Sequence, residues 1–597
     1  MIKCSDFVIK YLKDIGVTEV FTLAGGGIMH LIDSLGSSEI PYVCCHHEQA
    51  SAIAAQASAM YNGKLGVCLI TTGPGGTNAL TGTAAAYVDS TPVLFISGQV
   101  KRDDFAAKRG VRQFGAQEND IVAMARPVTK YAETIMDPDD ILYHLQKAVH
   151  HATSGRKGPV WLDIPLDVQE AMIDEKNLRT FIDPENESHH CIDNLQKAAS
   201  ITIDLLKNSK RPLILAGHGV YASMAQDKLK DLATSLNTPV IATWRGLGIF
   251  DADDELFMGS PGLQAPRYSN LILQSCDLLI VLGSRIDNMI TAFNEEHFAF
   301  RAKKVIVDVD AQEIKKLNMP DVTAVAGDVG LFLDEMINYK DTIDGSNYDK
   351  WRNACSKVKQ RYPLSLEKQK NPENTDLYKV TMEISLHCKK DDVIVVSSTS
   401  RCNTAGHIAF LHKSGQRVIS SMGMGSMGFA IPSAVGAYYS SGGNRVIVLE
   451  GDGSLQLNLQ ELQTLKTHNI PAKIFIFNNS GYAAITTMQD RNFDGRHVGS
   501  NPNSGLDMPD MKKIAEAYGI PYVRISTDEQ VRAGVQEVMD ISGIVICDII
   551  GSLDFDEIPK CISSLDENGK RVSAALENPF PFLPEEELVG VFNELLQ

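Results

Sequence analysis

Short apolar runs separated by helical patterns constrain this chain more than any other feature. Val20–Leu23, Val67–Ile70, Val93–Ser97 and Val160–Ile164 have the length of strands, not helices. Ala-rich stretches with helical character lie between them, including Gln49–Tyr61 and Ala79–Val88. That rhythm predicts βαβ units and a parallel sheet. Two further blocks repeat it. The second places strands at Pro212–Ala216, Asp277–Leu282 and Lys304–Asp308. The third places them at Val393–Ser397, Arg445–Leu449, Ile474–Phe477 and Ile544–Ile549. Residues 170–195 and 338–376 are polar and read as linkers. The tail after residue 552 carries Pro559, Pro579, Pro581 and Pro584 and is expected to lie over the surface as an irregular arm. The expected domains are 1–175, 190–340 and 370–552, followed by a tail at 553–597. The fold class is α/β, with three doubly wound parallel-sheet domains.

Charge and cysteine usage narrow the class. The 56 basic and 74 acidic side chains leave a net −18. A non-specific nucleic-acid binder needs clustered Lys and Arg, and anionic membrane attracts the same residues. The balance argues against both. The 11 cysteines are odd in number and none forms a C-x-x-C pair. Reduced thiols in a cytoplasm are expected, not a disulfide framework or a zinc site. No apolar run approaches the roughly 18 residues that a membrane span needs. The expectation is a soluble cytoplasmic enzyme.

Leu449-Glu450-Gly451-Asp452-Gly453-Ser454 ends one strand and opens a helical pattern. Asn478-Asn479 ends the strand Ile474–Phe477. Either piece alone is an ordinary turn former. Together they deliver a carboxylate, an amide oxygen and a backbone carbonyl to the ligand-binding edge of one sheet, a partial shell for a hard cation carrying phosphate. Three other segments share the chemistry of close backbone approach. They are Leu23-Ala24-Gly25-Gly26-Gly27, Gly73-Pro74-Gly75-Gly76-Thr77-Asn78 and Gly423-Met424-Gly425-Ser426-Met427-Gly428-Phe429. His46-His47-Glu48-Gln49-Ala50 follows the strand-like Val43–Cys45. Glu48 read alone is a helix-first-turn acid, favoured by the helix dipole.

The G-D-G segment followed some two dozen residues later by N-N resembles the thiamine-diphosphate (ThDP) enzymes of the acetolactate synthase-like family. The resemblance covers roughly residues 1–550. It implies pyrimidine-binding, central and diphosphate-binding domains, with ThDP and Mg²⁺ as cofactors. Asp452, the Asn479 side chain and the Gly481 carbonyl would hold the metal. Gly451, Gly453, Ser454 and Tyr482 would adjoin the diphosphate. Glu48 would be the catalytic carboxyl on the aminopyrimidine nitrogen, favouring the imino tautomer that takes the proton from thiazolium C2. Gly25, Gly26, Gly73, Gly75 and Asn78 would lie near the cofactor ring. Met427 would wedge the cofactor into a bent shape, with the Gly425 carbonyl on its amino group. Gln117, in Phe114-Gly115-Ala116-Gln117-Glu118, matches a Gln of the substrate channel. The resemblance also implies an active site shared between two subunits, hence an obligate homodimer or homotetramer. A regulatory subunit is left open.

The chain departs from the biosynthetic synthases at several positions. Met488 stands in place of a Trp nine residues after the second Asn, and Leu166 in place of a Lys. A G-Q-H stretch at the diphosphate is replaced by Ser398-Thr399-Ser400-Arg401-Cys402-Asn403, leaving Ser400 and Arg401 as polar candidates. Gly217, Gly219, Arg285 and Asp308 resemble parts of an FAD pattern, but Met289 replaces a second Arg. FAD is neither required nor excluded. The implied reaction is decarboxylation of a 2-keto acid, pyruvate first, with transfer of the two-carbon unit to a second carbonyl. Three alternatives stay open. The tail Leu576–Pro584 resembles members that transfer an acetyl unit to a keto-sugar nucleotide. A non-oxidative decarboxylase would share the fold. A non-catalytic scaffold or regulatory subunit is the reading from another class.

Overall fold

The computed structural model describes residues 1–183, 188–367, 375–553, 557–565, 571–573 and 575–597. Three parallel sheets organise them. The first contains β1 (Val20–Thr22), β2 (Tyr42–Cys44), β3 (Gly66–Ile70), β4 (Val93–Gln99), β5 (Tyr131–Thr134) and β6 (Val160–Pro165), in the order β2-β1-β3-β4-β6-β5. The central sheet contains β7 (Pro212–Ala216), β8 (Val240–Ala242), β9 (Leu278–Leu282), β10 (Lys303–Asp308) and β11 (Val322–Ala326), ordered β8-β7-β9-β10-β11. The third contains β12 (Val393–Val396), β13 (Val418–Ile419), β14 (Val446–Gly451), β15 (Ala472–Asn478), β16 (Tyr522–Ile525) and β17 (Val545–Ile550), ordered β13-β12-β14-β15-β17-β16. The first and third sheets therefore share one strand order. Each of the three reverses direction between its first strand and the third strand of the block. At such a reversal the connections leave to opposite faces and open a crevice at the carboxyl ends of the strands.

Two helices join the first and third domains. Helix α1 (Glu48–Asn62) is buried along almost its whole length. On one side a Cβ at Gly66 of β3 would collide with the Ala55 carbonyl oxygen. On the other, helix α6 (Ala430–Ser440) packs so closely that a Cβ at Gly436 would collide with the Ala54 carbonyl oxygen. Ala52, Ala54 and Ala57 share one apolar cluster with Ile431, Ala434, Val435 and Ala437. Small residues thus let α1 lie between a sheet of its own domain and a helix of another.

Three expectations need correction. Residues 338–376 are not simply a linker, because they contain helix α4 (Asp349–Arg361). Trp351, Cys355 and Val358 on its inner face are buried, and the Trp351 Nε1 donates to the Pro212 carbonyl at 2.8 Å. The stretch is polar because α4 is amphipathic, with one face in solvent. Residues 170–195 likewise carry structure: Met172–Ile173 pairs antiparallel with Ile2–Lys3, and the helix Ser188–Asn208 begins there. The tail is not an irregular arm throughout. The Arg267 side chain, buried in helix α3 (Arg267–Ser275), donates to the carbonyls of Pro579 at 2.9 Å and Pro581 at 2.7 Å. The tail then ends in a helix, Glu585–Leu596, whose Val591 and Leu595 join the central-domain core.

The α1–α6 contact generates a mutational contrast. Gly436→Ala should destabilise the chain by about 3 kcal/mol, the magnitude of overpacking in a core that cannot yield. Gly590→Ala, at an exposed position of the C-terminal helix with nothing within 4 Å of the added Cβ, should be neutral or stabilising. Thermal unfolding followed by circular dichroism separates the two. Equal effects would contradict the packing.

Candidate active site

The first half of the site lies at the reversal between β1 and β3. The chain leaving β1 runs through Gly25–Gly27 and the chain leaving β3 through Thr71–Gly73. A Cβ at Gly25 would sit 2.5 Å from Thr71 Cβ, and the Gly27 N–H donates to Thr71 Oγ1 at 3.1 Å. Gly26 has open space around it. Glu48 is the first residue of α1 and is 6% exposed. Its Oε2 accepts from Asn78 Nδ2 at 2.9 Å. A Cβ at Gly75 would lie 2.9 Å from Thr71 Cγ2, so the start of the following helix sits close against the Thr71 side chain beside Glu48.

Helix α2 spans Pro74–Val88 and starts earlier than Ala79, because proline at its first position suits a helix start. Gly75 and Asn78 therefore stand in its first turns. Gly73 has φ of 72°, and a Cβ there would be 2.6 Å from the Gln117 carbonyl oxygen. Gln117 is exposed, also with positive φ. His47 caps α1 through its Nδ1, and the His46 N–H reaches the Glu461 carboxylate of helix α7 (Glu461–Thr467) at 3.0 Å.

The second half lies at the corresponding edge of the third sheet. Asp452 follows β14 and is 2% exposed. Its Oδ1 accepts from the Gly453 N–H at 2.9 Å, and its Oδ2 from those of Asn479 at 3.2 Å and Gly481 at 3.3 Å. Burial pushes its carboxyl up to about 6, although these backbone donors pull the other way. Asn479 Oδ1 is buried without a hydrogen-bond partner. A carboxylate held by backbone donors beside an unpartnered amide oxygen fits a hard divalent cation. Among the described residues no cluster of three His, Cys, Asp or Glu could hold a metal. The fit rests on this mixed oxygen set.

Tyr482 lies over Gly453, where a Cβ would collide with its ring. Ser454 ties two loops together: its hydroxyl accepts from the Gly428 N–H at 2.9 Å and lies 3.3 Å from Ser397 Oγ. Gly425, with φ of 63°, donates to the Ser421 carbonyl at 3.0 Å, and Met427 is half-buried two residues on. Gly451 closes β14. Ser400 opens helix α5 (Ser400–Ile408), but its side chain lies outside the described residues. Arg401, expected at the diphosphate, turns its guanidinium to the Ser552 carbonyl at 3.0 Å and Thr487 Oγ1 at 3.1 Å.

Of the residues considered for a flavin, Gly217 and Gly219 follow β7, and a Cβ at Gly219 would be 2.6 Å from Gly283 Cα. Both adjoin the reversal between β7 and β9. There a cleft opens, lined by Gly219, Arg285 and Asp308 together with Arg156 and Arg245. Arg156 Nη2 donates to Asp308 Oδ1 at 2.6 Å, and burial raises the Asp308 carboxyl.

Two residues near the site were not singled out by sequence. Glu450 is fully buried at the end of β14, with its carboxyl raised by burial and Oε2 unpartnered. Asp163 of β6 accepts from Ser97 Oγ at 2.6 Å and Gln99 Nε2 at 3.1 Å. Gln99 also donates to the Asn119 carbonyl, and Asn119 Nδ2 to the Gly73 carbonyl at 3.2 Å, so the network reaches the N-terminal cap of α2. A lone acid in an otherwise apolar strand was the available signal for both.

Three family models match in chain order. They are the N-terminal TPP binding domain of thiamine pyrophosphate enzymes over residues 2–124, the central domain over 200–336 and the C-terminal TPP binding domain over 400–549. The chain belongs to the thiamine pyrophosphate enzyme family. Within it, the chain is similar to acetolactate synthases. It is 34% identical over 527 residues to the acetolactate synthase large subunit of Parasynechococcus marenigrum, covering 87% of this chain and 82% of that one. It is 32% identical over 568 residues to acetolactate synthase 1, chloroplastic, of Zea mays, covering 92% and 85% respectively. The large subunit of Cyanidium caldarium is also 32% identical, over 554 residues, with 89% and 90% covered.

The buried Asp163 makes stability depend on pH. Burial raises its carboxyl to about 7 in the folded chain. The unfolded chain releases that proton near pH 4. Between these values the folded state binds more protons, so stability falls as pH rises. Asp163→Asn removes the penalty. Its unfolding temperature relative to the parent chain should therefore climb between about pH 4 and 7 and level off above, and a pH-independent difference would contradict the assignment.

Proposed function

We propose that the chain breaks the C1–C2 bond of pyruvate and transfers the two-carbon unit to the carbonyl of a second molecule, yielding 2-acetolactate when the acceptor is pyruvate. The carrying observation is the match between two sheet edges. Glu48 with Asn78 stands at one, and Asp452 with the unpartnered Asn479 oxygen at the other. ThDP, when bound, supplies the electron sink for the decarboxylation. Asp452, Asn479 Oδ1 and the Gly481 carbonyl would hold Mg²⁺ against its diphosphate. Glu48 holds a proton at the pyrimidine ring nitrogen, and Asn78 orients that carboxyl. Met427 props the cofactor ring, and Gln117 faces the substrate side.

Met488 is 41% exposed where the biosynthetic synthases carry a Trp. It leaves the acceptor side wider, which favours a keto-sugar nucleotide as the second acceptor reading. We assign the complete site to two copies of the chain, as a homodimer or homotetramer. In one copy Glu48 stands by the N-terminal end of α2, whereas Gly423, which opens the wedge segment, docks at Asp89 beyond its C-terminal end. A 15-residue helix separates those ends by about 20 Å. The central cleft is the place for a dinucleotide of the FAD class, supported by its position at a strand-order reversal and its arginines. Ten described cysteines are free thiols, which supports a reducing, cytoplasmic setting. No helix among the described residues is long and apolar enough to cross a membrane.

Incubation with ThDP, Mg²⁺ and pyruvate, followed by NMR, should show 2-acetolactate. Acetaldehyde as the sole product would overturn the transfer step. Glu48→Gln should retain ThDP and lower turnover at least about 100-fold, the scale of a lost general acid–base group.

A further inference from the structure

Asp89 lies where all three domains meet. It follows α2 as its C-terminal cap and is 3% exposed. Its carboxylate accepts from Gln56 Nε2 of α1 at 3.2 Å. From the third domain it accepts the Ser421 hydroxyl at 2.6 Å and the Gly423 N–H at 3.0 Å. From the central domain comes Arg245, whose Nη1 lies 3.4 Å from Asp89 Oδ1 and donates to the Asp89 carbonyl at 2.8 Å.

The third-domain partners are not arbitrary. Gly423 opens the segment that carries Gly425 and Met427. A Cβ at Gly423 would approach Val88 Cγ2 to 2.9 Å, so the segment is pressed against the end of α2. Met422, Asp89 and Arg245 all line the central cleft. Arg245 Nη2 also meets His218 Nε2 at 3.2 Å on the cleft wall. Burial lowers the Arg245 guanidinium to about 10, which leaves it charged at neutral pH. Among the described residues Arg245 is the one cationic side chain paired with this buried carboxylate, and the neutral donors Gln56, Ser421 and Gly423 share its oxygens, so the cluster is held as one hydrogen-bonded unit.

We propose that Asp89 is the positioning residue of the Gly423–Met427 wedge, and that Arg245 holds it in register from the central domain. The central cleft wall thereby sets where the wedge stands. The inference rests on the wedge role proposed above for Met427. Asp89 touches no reacting atom. It acts through the Gly423 N–H and the Ser421 hydroxyl.

The test uses full-length Asp89→Asn, Arg245→Met, their double variant and the milder Ser421→Ala. Two readouts need no substrate. The first is amide hydrogen exchange over residues 421–428 without cofactor. The second is the rate of C2 proton exchange on bound ThDP, measured by NMR alongside ThDP affinity. Asp89→Asn should speed amide exchange and slow C2 exchange, each by about tenfold or more, with ThDP affinity within about threefold. Arg245→Met should give the same signature, and the double variant should be no worse than the stronger single, as for two members of one contact. Ser421→Ala, which leaves the ion pair intact, should show the same direction at smaller size. C2 and amide exchange within about twofold of the parent chain in Ser421→Ala and Asp89→Asn, or independent multiplying losses in the double variant, would overturn the proposal. Failure of the parent chain to bind ThDP would overturn the cofactor reading instead. Amide exchange would still decide whether Asp89 holds the segment.

Discussion

The close approach of α1 to its two neighbours is the constraint on which the rest depends. Gly66 and Gly436 bring the backbone of β3 on one side and of α6 on the other against the carbonyls of Ala55 and Ala54. No side chain stands between, so α1 has little freedom to slide or roll. Its N-terminus therefore carries Glu48 to a fixed place, beside Asn78 and Gly75 of α2. The segment leading into α1 also meets the third domain, through the His46 N–H and Glu461. The carboxyl proposed as catalytic needs held geometry more than it needs strength, and this packing supplies it.

The first and third sheets share one strand order, and each uses its reversal point for half of the site. In the first sheet the reversal presents glycines and a carboxyl. In the third it presents Asp452, ringed by backbone N–H groups, and the unpartnered Asn479 oxygen. An unpartnered buried oxygen is normally destabilising. Its place beside a buried carboxylate is what supports the cation proposed to lie between them.

Much of this was legible in the sequence, for a physical reason. Every interior strand of the three sheets was foreseen within a few residues, because a strand covered on both faces must be a continuous apolar run. The strands not foreseen, β5, β8, β11, β13 and β16, are all sheet edges. β5, β11 and β16 are only partly covered and carry polar residues such as Glu133 and Arg524, whereas β8 and β13 are buried but only three and two residues long, so no extended apolar run marks any of them. Helix α4 was hidden for a related reason: with only one face buried, its composition reads as polar. The chemistry-bearing residues Glu48, Asn78, Asp452 and Asn479 stood out because their motifs carry glycines and turn formers at fixed places. Asp89, Arg245 and Asp163 did not, because long-range hydrogen bonds leave no mark on local spacing.

Each chain is proposed to hold two half-sites, which two copies complete. Co-expression of Glu48→Gln with Asp452→Ala, each inactive alone, tests it directly. If the site joins the first domain of one chain to the third of another, mixed assemblies regain about a quarter of the parent activity, since random pairing rebuilds that share of intact sites. No recovery, in assemblies shown to contain both chains, would place Glu48 and Asp452 in the same chain's site and contradict the account.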